Sequence, residues 1–241
     1  MSVRRRSIDY SGSAPAVLTF RDKNSVITTT GTHTHSGLSF GPASSDRAII
    51  IECSQNLWAA TDNVTSVTIG GVSATRCVRS SFMLNALSGA YGITDIWIAA
   101  VPTGTSGSVV LSGVSGSTNW DSAVGVYSAT KLKSLTPTAV DTNIDWNGSA
   151  YVKQLNMSVP IIGGGFAIGS AFILHGKPTS VAWTGLSSDF MQLITTPFAD
   201  SGALSGASRS ALASQSASMT TKFANSGGDM MQMIGAAASF R

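Results

Sequence analysis

The sequence predicts an all-β protein, built as a two-sheet β-sandwich of the jelly-roll-like type. Gly contributes 25 residues, Ser and Thr together contribute 62, and charged residues make up only 11%, against about 25% in an average soluble domain. Short apolar or alternating runs recur at a spacing of roughly ten residues, which is typical of sandwiches and barrels. A 3.6-residue apolar stripe with caps at both ends is nearly absent, so helices are not expected.

The predicted strands follow one another along the whole chain. Gly70 and Gly71 separate two alternating runs, which predicts a hairpin. Residues 207–223 alternate small or apolar residues with Ser or Thr, and this period of two favours a strand although their Ala content favours a helix. Residues 134–149 look like a loop that ends in the turn pair Asn147-Gly148. The segments predicted as strands are 16–20, 25–30, 46–52, 64–69, 72–78, 93–101, 108–111, 122–127, 151–159, 166–174, 181–183, 207–223 and 230–240.

The chain is long enough to bury a substantial core, with 241 residues and a mass of 24.7 kDa. We expect a short arm over residues 1–14, followed by one continuous sandwich domain of about a dozen strands over residues 15–241. Strong internal repeats are not evident in the sequence. A division near residues 129–149, where turn residues concentrate, is the alternative.

The basic character of the chain is local to its N-terminus. The net charge is +3, and Arg4, Arg5 and Arg6 face a single acid, Asp9, within the first ten residues. The remaining chain carries twelve basic and eleven acidic residues. A docking arm that contacts an acidic partner is therefore predicted, with a frayed and solvated N-terminus as the alternative. Because nucleic-acid binding needs clustered basic residues on a domain face, that function is not expected.

Cysteine usage and hydropathy argue against zinc, secretion and membrane insertion. Cys53 alternates with Ile49 and Ile51 and is expected in the core, while a disulfide with Cys77 stays open. Two cysteines without a CxxC motif do not match a structural zinc site. The arginine run is followed by polar residues, and the uncharged segment 154–174 contains Pro and three glycines, so neither a secretion signal nor a membrane span is expected.

One acidic segment offers oxygen ligands at alternate positions. Asp141, Asn143, Asp145 and Asn147 alternate along the chain, and from Asn143 onward the spacing imitates positions 1, 3, 5 and 6 of a calcium-binding loop. Gln154 stands where such a loop needs a bidentate Glu. Metal binding by Asp141, Asn143 and Asp145 is therefore one hypothesis, and an ordinary Asx-rich turn is the other.

Three tryptophans are candidate contact residues for a ligand or a partner. Trp58, Trp120 and Trp146 lie beside Asn or Asp, and an exposed Trp can stack on a sugar ring while polar neighbours bind its hydroxyls. The alternative is that they cap the end of the sandwich. Trp97 and Trp183 lie within strong strands and are expected in the core.

The remaining motifs do not identify a reaction. Ser39 lies in a G-x-S-x-G pattern, but the helix that a nucleophile elbow requires does not follow it. His33 and His35 would share one face of an extended strand and could share a metal ion with a distant ligand such as His175 or an acid. They could also simply decorate a polar loop. The sequence therefore predicts a protein that is not an enzyme and needs no cofactor.

Several segments resemble β-rich virion proteins of tailed bacteriophages and prophages, of the tail, fibre or capsid-decoration kind. The resemblance spans most of the chain and consists of hairpins and turns rather than chemical signatures. The segments that carry it are residues 19–22, 66–75, 96–107 and 236–241.

This resemblance implies a non-enzymatic virion structural protein on the particle exterior, most often in the tail, fibre or spike apparatus. It would be assembled in the host bacterial cytoplasm and would act by self-association, as a homotrimer or another symmetric homo-oligomer. Its partners would be other virion proteins and a host surface glycan. A capsid decoration protein is the close alternative, and a free carbohydrate-binding module is the alternative from another class. Fold-level likeness does not establish either.

Overall fold

All regular elements in the described part of the chain are β-strands, which confirms the predicted all-β class. The computed structural model describes residues 14–28, 31–57, 64–83, 91–113, 120–146, 152–174, 178–194, 202–225 and 232–241. The N-terminal half contains β1 (Val17–Thr28), β2 (Thr32–Ser39), β3 (Ala48–Leu57), β4 (Ser66–Ile69), β5 (Val72–Ser73), β6 (Thr75–Met83), β7 (Tyr91–Ala100), β8 (Ser106–Ser112) and β9 (Trp120–Thr130). The C-terminal half contains β10 (Ala139–Trp146), β11 (Val152–Ile161), β12 (Gly165–Leu174), β13 (Pro178–Thr184), β14 (Ser187–Ile194), β15 (Gly202–Ala211), β16 (Gln215–Asn225) and β17 (Gln232–Phe240).

Across the described ranges, the strands form four antiparallel sheets stacked in layers. Outer sheet 1 has the order β2-β8-β4-β5, and inner sheet 1 has the order β1-β9-β3-β7-β6. Inner sheet 2 has the order β10-β17-β12-β15-β14, and outer sheet 2 has the order β11-β16-β13. Each inner sheet packs on its own outer sheet, and the two inner sheets pack on each other. The chain is therefore a pair of sandwiches joined through their larger sheets.

The two sandwiches have the same topology. In each, the first strand lies beside the last, the last beside the third, and the third beside the penultimate strand of its inner sheet. In each, the second strand and its neighbours form the smaller outer sheet. This equivalence is an internal structural repeat, which the sequence analysis did not find. The finer jelly-roll assignment stays a prediction.

The number of sheets differs from the predicted two. The described residues contain seventeen strands, which exceeds the expected dozen, and strongly twisted open sheets rarely grow beyond about ten strands without splitting. β2 and β14 lie outside the segments predicted as strands, and two more strands come from segments whose polar residues obscured them. β10 lies in the predicted loop 134–149, and the alternating segment 207–223 is divided by a turn at residues 212–214 into β15 and β16.

Other local predictions are confirmed. Gly70 and Gly71 form the turn between β4 and β5, both with positive φ. Residues 16–20 and 25–30, predicted as two strands, instead belong mainly to the single strand β1, which has a register shift between Phe20 and Asp22. Cys53 is buried in the core, and both it and Cys77 are free thiols. Trp97 is buried and Trp183 is partly buried.

The molecule has two distinct ends. Ala16 N donates to Gly164 O at 2.8 Å, so β1 and β12 begin side by side. We name this the proximal end. The opposite, distal end lies where β1 ends at Thr28. Lys23 Nζ donates to Met191 O at 2.7 Å and Gln192 Nε2 to Ser25 Oγ at 3.1 Å, so β14 runs in the same direction as β1.

A single buried arginine organises the proximal end of the N-terminal sandwich. Arg47 is 2% exposed. Its five N–H donors meet five main-chain carbonyl oxygens at 2.7–2.9 Å, which belong to Gly41, Pro42, Val101, Thr103 and Gly104. The planar guanidinium thereby ties together the turns that follow β2 and β7. A buried charge is tolerated here because all of its donors are used.

Replacing Arg47 by Lys should destabilise the chain by about 2–4 kcal/mol, because an ammonium group offers three donors and cannot reach both turns. Urea unfolding followed by circular dichroism measures this change. Arg21→Lys is the matched control, since that half-buried guanidinium donates to Ser128 Oγ from its Nε and should lose less than about 1 kcal/mol. Equal losses for the two variants would contradict the role assigned to Arg47.

Candidate functional site

The predicted metal ligands line the free edge of β10. Asp141, Asn143 and Asp145 occupy alternate positions of this strand, so their side chains share one face. That face meets the free edge of β11 in outer sheet 2. Ser158 N donates to Asp141 Oδ2 at 2.7 Å, and Gln154 N donates to Asp145 Oδ2 at 3.1 Å.

Asn143 completes the same row. Its Nδ2 donates to Asn156 O at 2.6 Å, while Ile144 N donates to its Oδ1 at 2.7 Å. Asp141 also acts on both strands, because Thr142 N donates to its Oδ1 at 2.8 Å. Three side chains therefore satisfy the unpaired main-chain groups of two edge strands, which would otherwise be a template for pairing with another chain. We call this row the Asx seam.

The N-terminal sandwich carries the same device at the equivalent place. Asp22 lies on β1, where Lys23 N donates to its Oδ1 at 2.8 Å and Ser39 N donates to its Oδ2 at 2.8 Å. Ser39 follows Asp22 by 17 residues, as Ser158 follows Asp141. The two strands also share a Thr-x-x-Asp-x-Asn pattern, formed by Thr19, Asp22 and Asn24 in β1 and by Thr138, Asp141 and Asn143 at β10. The structural repeat thus has a trace in the sequence.

The seam explains the alternating acidic pattern without a metal ion. Both carboxylate oxygens of Asp141 and the amide oxygen of Asn143 accept hydrogen bonds from main-chain N–H groups. Within the described residues, no group of three or more His, Cys, Asp or Glu side chains is arranged to hold a metal ion. The alternation arises because every second side chain of β10 must face β11.

Asp141→Ala should lower the free energy of unfolding by about 1–2 kcal/mol, since two charge-assisted hydrogen bonds are lost at a partly exposed site. It should also promote association between chains by opening both strand edges. Asp22→Ala should behave in the same way, whereas Asp145→Ala removes one main-chain bond and should cost less. Urea unfolding and light scattering measure the two effects, and an unchanged Asp141→Ala protein would contradict them.

Two of the three candidate tryptophans, Trp120 and Trp146, have their backbones at the distal end. Trp120 is the register partner of Thr28 and of Leu57 in inner sheet 1. Trp146 pairs with Gln232, which pairs in turn with Leu174 at the far end of β12. The backbones of Trp120 and Trp146 therefore occupy corresponding ends of the two inner sheets.

The remaining candidates lie outside the described residues. Trp58 follows Leu57, the last residue of β3, which is also at the distal end. Arg4, Arg5 and Arg6 precede the first described residue. The chain enters the fold at the proximal end, where Ala16 is anchored to Gly164.

A group of ionisable side chains is buried between the inner sheets. Glu52 on β3 is fully buried, and Tyr127 on β9 donates from its hydroxyl to Asp189 Oδ2 at 3.1 Å. Gly206 gives the group its space, because a Cβ there would collide with the Glu52 carboxyl, the Tyr127 hydroxyl and the Phe190 ring. The sequence contains no signal for this group, since its members come from four separate strands.

Burial makes the carboxyl groups of this interface weak acids. Desolvation raises the pKa of Glu52 well above its usual range, and the nearby Asp189 carboxyl raises it further. Desolvation also raises the pKa of Asp189 and brings that of Asp121 to about 6. The folded chain therefore binds protons more tightly at these groups than the unfolded chain does. Their contribution to stability is full below the unfolded pKa near 4 and is lost as the pH rises through the folded pKa.

Glu52→Gln should therefore make the chain more stable than the wild type at pH 8 and should flatten the fall in stability between about pH 4 and pH 8. Each unit of raised pKa that the substitution removes is worth about 1.4 kcal/mol. Urea unfolding across this pH range measures the change. Asp46→Asn should have the opposite sign, because hydrogen bonds from Ser44 and from the Lys131 main chain lower the pKa of the exposed Asp46. A Glu52→Gln protein that loses stability more steeply with rising pH would contradict the assignment.

A second polar group lies between outer sheet 1 and inner sheet 1, near the distal end. His33 and His35 on β2 are fully buried, which overturns the idea that they decorate a polar loop. His33 Nδ1 lies 2.6 Å and His35 Nε2 lies 2.9 Å from Ser122 Oγ on β9. Burial lowers the pKa of His33 to about 3, with a further contribution from His35, and lowers that of His35 to about 4. Both imidazoles are therefore neutral at physiological pH.

The outer face of outer sheet 2 carries a shallow depression of about 480 Å³. Asp141 and Asn156 line it together with hydroxyl side chains of β11, β13 and β16. These groups mostly bond one another, as Thr220 Oγ1 does when it donates to Asn156 Oδ1 at 2.9 Å. The depression can hydrogen-bond a polar molecule.

Comparison with protein-family models, with curated proteins and with solved structures found no match to this chain. Within the described residues, no helix is long and apolar enough to cross a membrane. The geometry of the chain itself is therefore the basis for any functional conclusion.

Proposed function

We propose that this chain is a non-enzymatic structural protein of a bacteriophage virion, exposed on the particle exterior in the tail, fibre or spike apparatus. The N-terminal arm docks onto other virion proteins, and the distal end contacts the host surface. The observation that supports this proposal is that the arm and two candidate tryptophans lie at opposite ends of the fold. The arm joins the fold at Ala16, while Trp120 and Trp146 stand at the far ends of the inner sheets.

The separation between these ends is large enough for two independent contacts. β1 alone runs for 12 residues from the proximal to the distal end, and a strand rises about 3.3 Å per residue. The point where the arm joins the fold and the distal end are therefore about 35–40 Å apart. Connections at one end of a rigid sandwich are a common place for binding residues, because the strands hold them in position.

The proposed self-association is a closed, symmetric one, with a homotrimer as its specific form. The Asx seam and its counterpart at Asp22 cap main-chain edges that could otherwise add strands from other copies without limit. Copies would instead meet through side-chain surfaces. Val140 and Ile144 on β10 are large aliphatic residues that remain 48% and 41% exposed and offer such a surface.

A free carbohydrate-binding module is the second candidate. The observation that favours it is the placement of Trp120 and Trp146 at the same end of neighbouring sheets. Stacking of sugar rings on paired tryptophans would use that end without any particle. Capsid decoration is the close variant of the first proposal and differs only in the surface to which the arm binds.

Deletion of residues 1–14 should leave a folded protein that no longer joins the particle. The fold should survive because β1 begins at Val17 and its anchor is Ala16. The measurement compares incorporation of full-length and truncated chains into purified particles, with gold-antibody labelling viewed by electron microscopy. Circular dichroism and thermal unfolding of the truncated chain serve as the folding control.

Gold at the tail or its tip for the full-length chain supports the tail, fibre or spike proposal. Gold over the shell would move the protein to capsid decoration. Normal incorporation of the folded, truncated chain would overturn the arm's role. Absence of labelling, with an antibody proven to bind the native protein, would overturn the virion proposal in favour of the carbohydrate-binding module.

A further inference from the structure

The buried histidine pair has an unusual hydrogen-bonding problem. Ser122 Oγ has one proton and lies within hydrogen-bond distance of a nitrogen from each imidazole. The hydroxyl can donate to one ring and accept from the other, so these contacts can be satisfied together. His35 Nδ1 then remains buried without a hydrogen-bond partner. Buried polar atoms of this kind are rare, and the atoms that meet at Ser122 are the other nitrogens, His33 Nδ1 and His35 Nε2.

A fourth side chain adds to the same problem. Gln55 on β3 is the register partner of Ser122, and both lie on the face of inner sheet 1 that meets outer sheet 1. Gln55 is fully buried, and neither its amide oxygen nor its amide nitrogen has a hydrogen-bond partner. Two imidazoles, a hydroxyl and a carboxamide thus gather in an interior that also holds the buried Asp95 carboxylate, which is paired with Arg79.

We propose that His33 and His35, with Ser122 and the neighbouring Gln55, form an intrachain site for one first-row divalent cation of the Zn²⁺, Co²⁺ or Ni²⁺ class. This inference does not rest on the proposed virion function. Imidazole nitrogens suit these ions, and hydroxyl and amide oxygens complete a mixed nitrogen and oxygen set.

The geometry of the group agrees with such a site. His33 Nδ1 and His35 Nε2 converge on one point, marked by Ser122 Oγ at 2.6 and 2.9 Å. Ligand atoms about 2.1 Å from a shared ion lie about 3.0–3.4 Å apart, so binding needs the group to open by only a few tenths of an ångström.

The position of the group suggests a role in holding the sandwich together. β2 belongs to outer sheet 1, whereas β3 and β9 belong to inner sheet 1. An ion bound by residues of all three strands would join the two sheets near the distal end. Arg47 already joins turns at the proximal end of the same sandwich, so the two groups would fasten its opposite ends.

The test uses Co²⁺ as a spectroscopic probe and Zn²⁺ as its competitor. The metal-free chain is examined in two ways, by adding Co²⁺ to the folded protein and by refolding from urea in its presence, since a buried site can be slow to fill. We expect one equivalent of Co²⁺ per chain, a visible absorption band that Zn²⁺ abolishes, and a melting temperature raised by roughly 5–10 °C at a hundredfold excess over Kd.

Three variants identify the ligands. His35→Gln should abolish the band, and Ser122→Ala should weaken binding by roughly tenfold or more while keeping both imidazoles. His175→Gln replaces the third histidine of the chain and should bind like the wild type. Circular dichroism checks the fold of each, and Ser122→Ala keeps the proposal testable if His35→Gln does not fold. The proposal would be overturned if Co²⁺ bound by neither route, or if a folded His35→Gln or Ser122→Ala protein bound with unchanged affinity. The four residues would then form only a buried hydrogen-bonded group.

Discussion

The fold depends on the contact between the two inner sheets, because each of them must bury both of its faces. All nine residues of β17 are buried, and the described side chains of β3, β9 and β12 are almost all buried as well. An outer sheet covers one face of each inner sheet. Among the described residues, the opposite sandwich covers the other face, through aromatic residues that include Tyr127, Phe166 and Phe190. Apolar area of this extent makes either sandwich a poor candidate for existence by itself.

The sequence was sufficient for the fold class and most strands, because alternation and β-branched runs report directly on half-buried strands. It was insufficient where a strand is polar for a reason other than exposure. β10 resembles a loop because its Asp and Asn residues, typical of turns, here cap the edges of two strands. The internal repeat was hidden for a related reason. Only the capping residues and a few neighbours are shared by the halves, whereas the core positions tolerate any apolar residue that fills the space.

The candidate sites were only partly accessible to sequence reasoning. The alternation of Asp141, Asn143 and Asp145 predicted a metal site or an Asx-rich turn, and in the structure these side chains bond the edge of β11. Trp120 begins β9 and Trp146 ends β10. Strand register places the backbones of both residues at the distal end. The groups around Glu52 and Ser122 combine residues from distant strands. A single sequence contains no signal for such a meeting, apart from the paired spacing of His33 and His35.

The direction of the strands has a mechanical consequence. The line from Ala16 to the distal end runs along β1, which pairs with β9 over eleven register positions. A load applied between the arm and the distal end would act parallel to these strands and would stress all of their cross-strand hydrogen bonds in shear. The same load applied perpendicular to the strands would break the hydrogen bonds sequentially, one pair at a time. A protein that is anchored at one end and pulled at the other resists mechanical unfolding most strongly when its strands lie along the load.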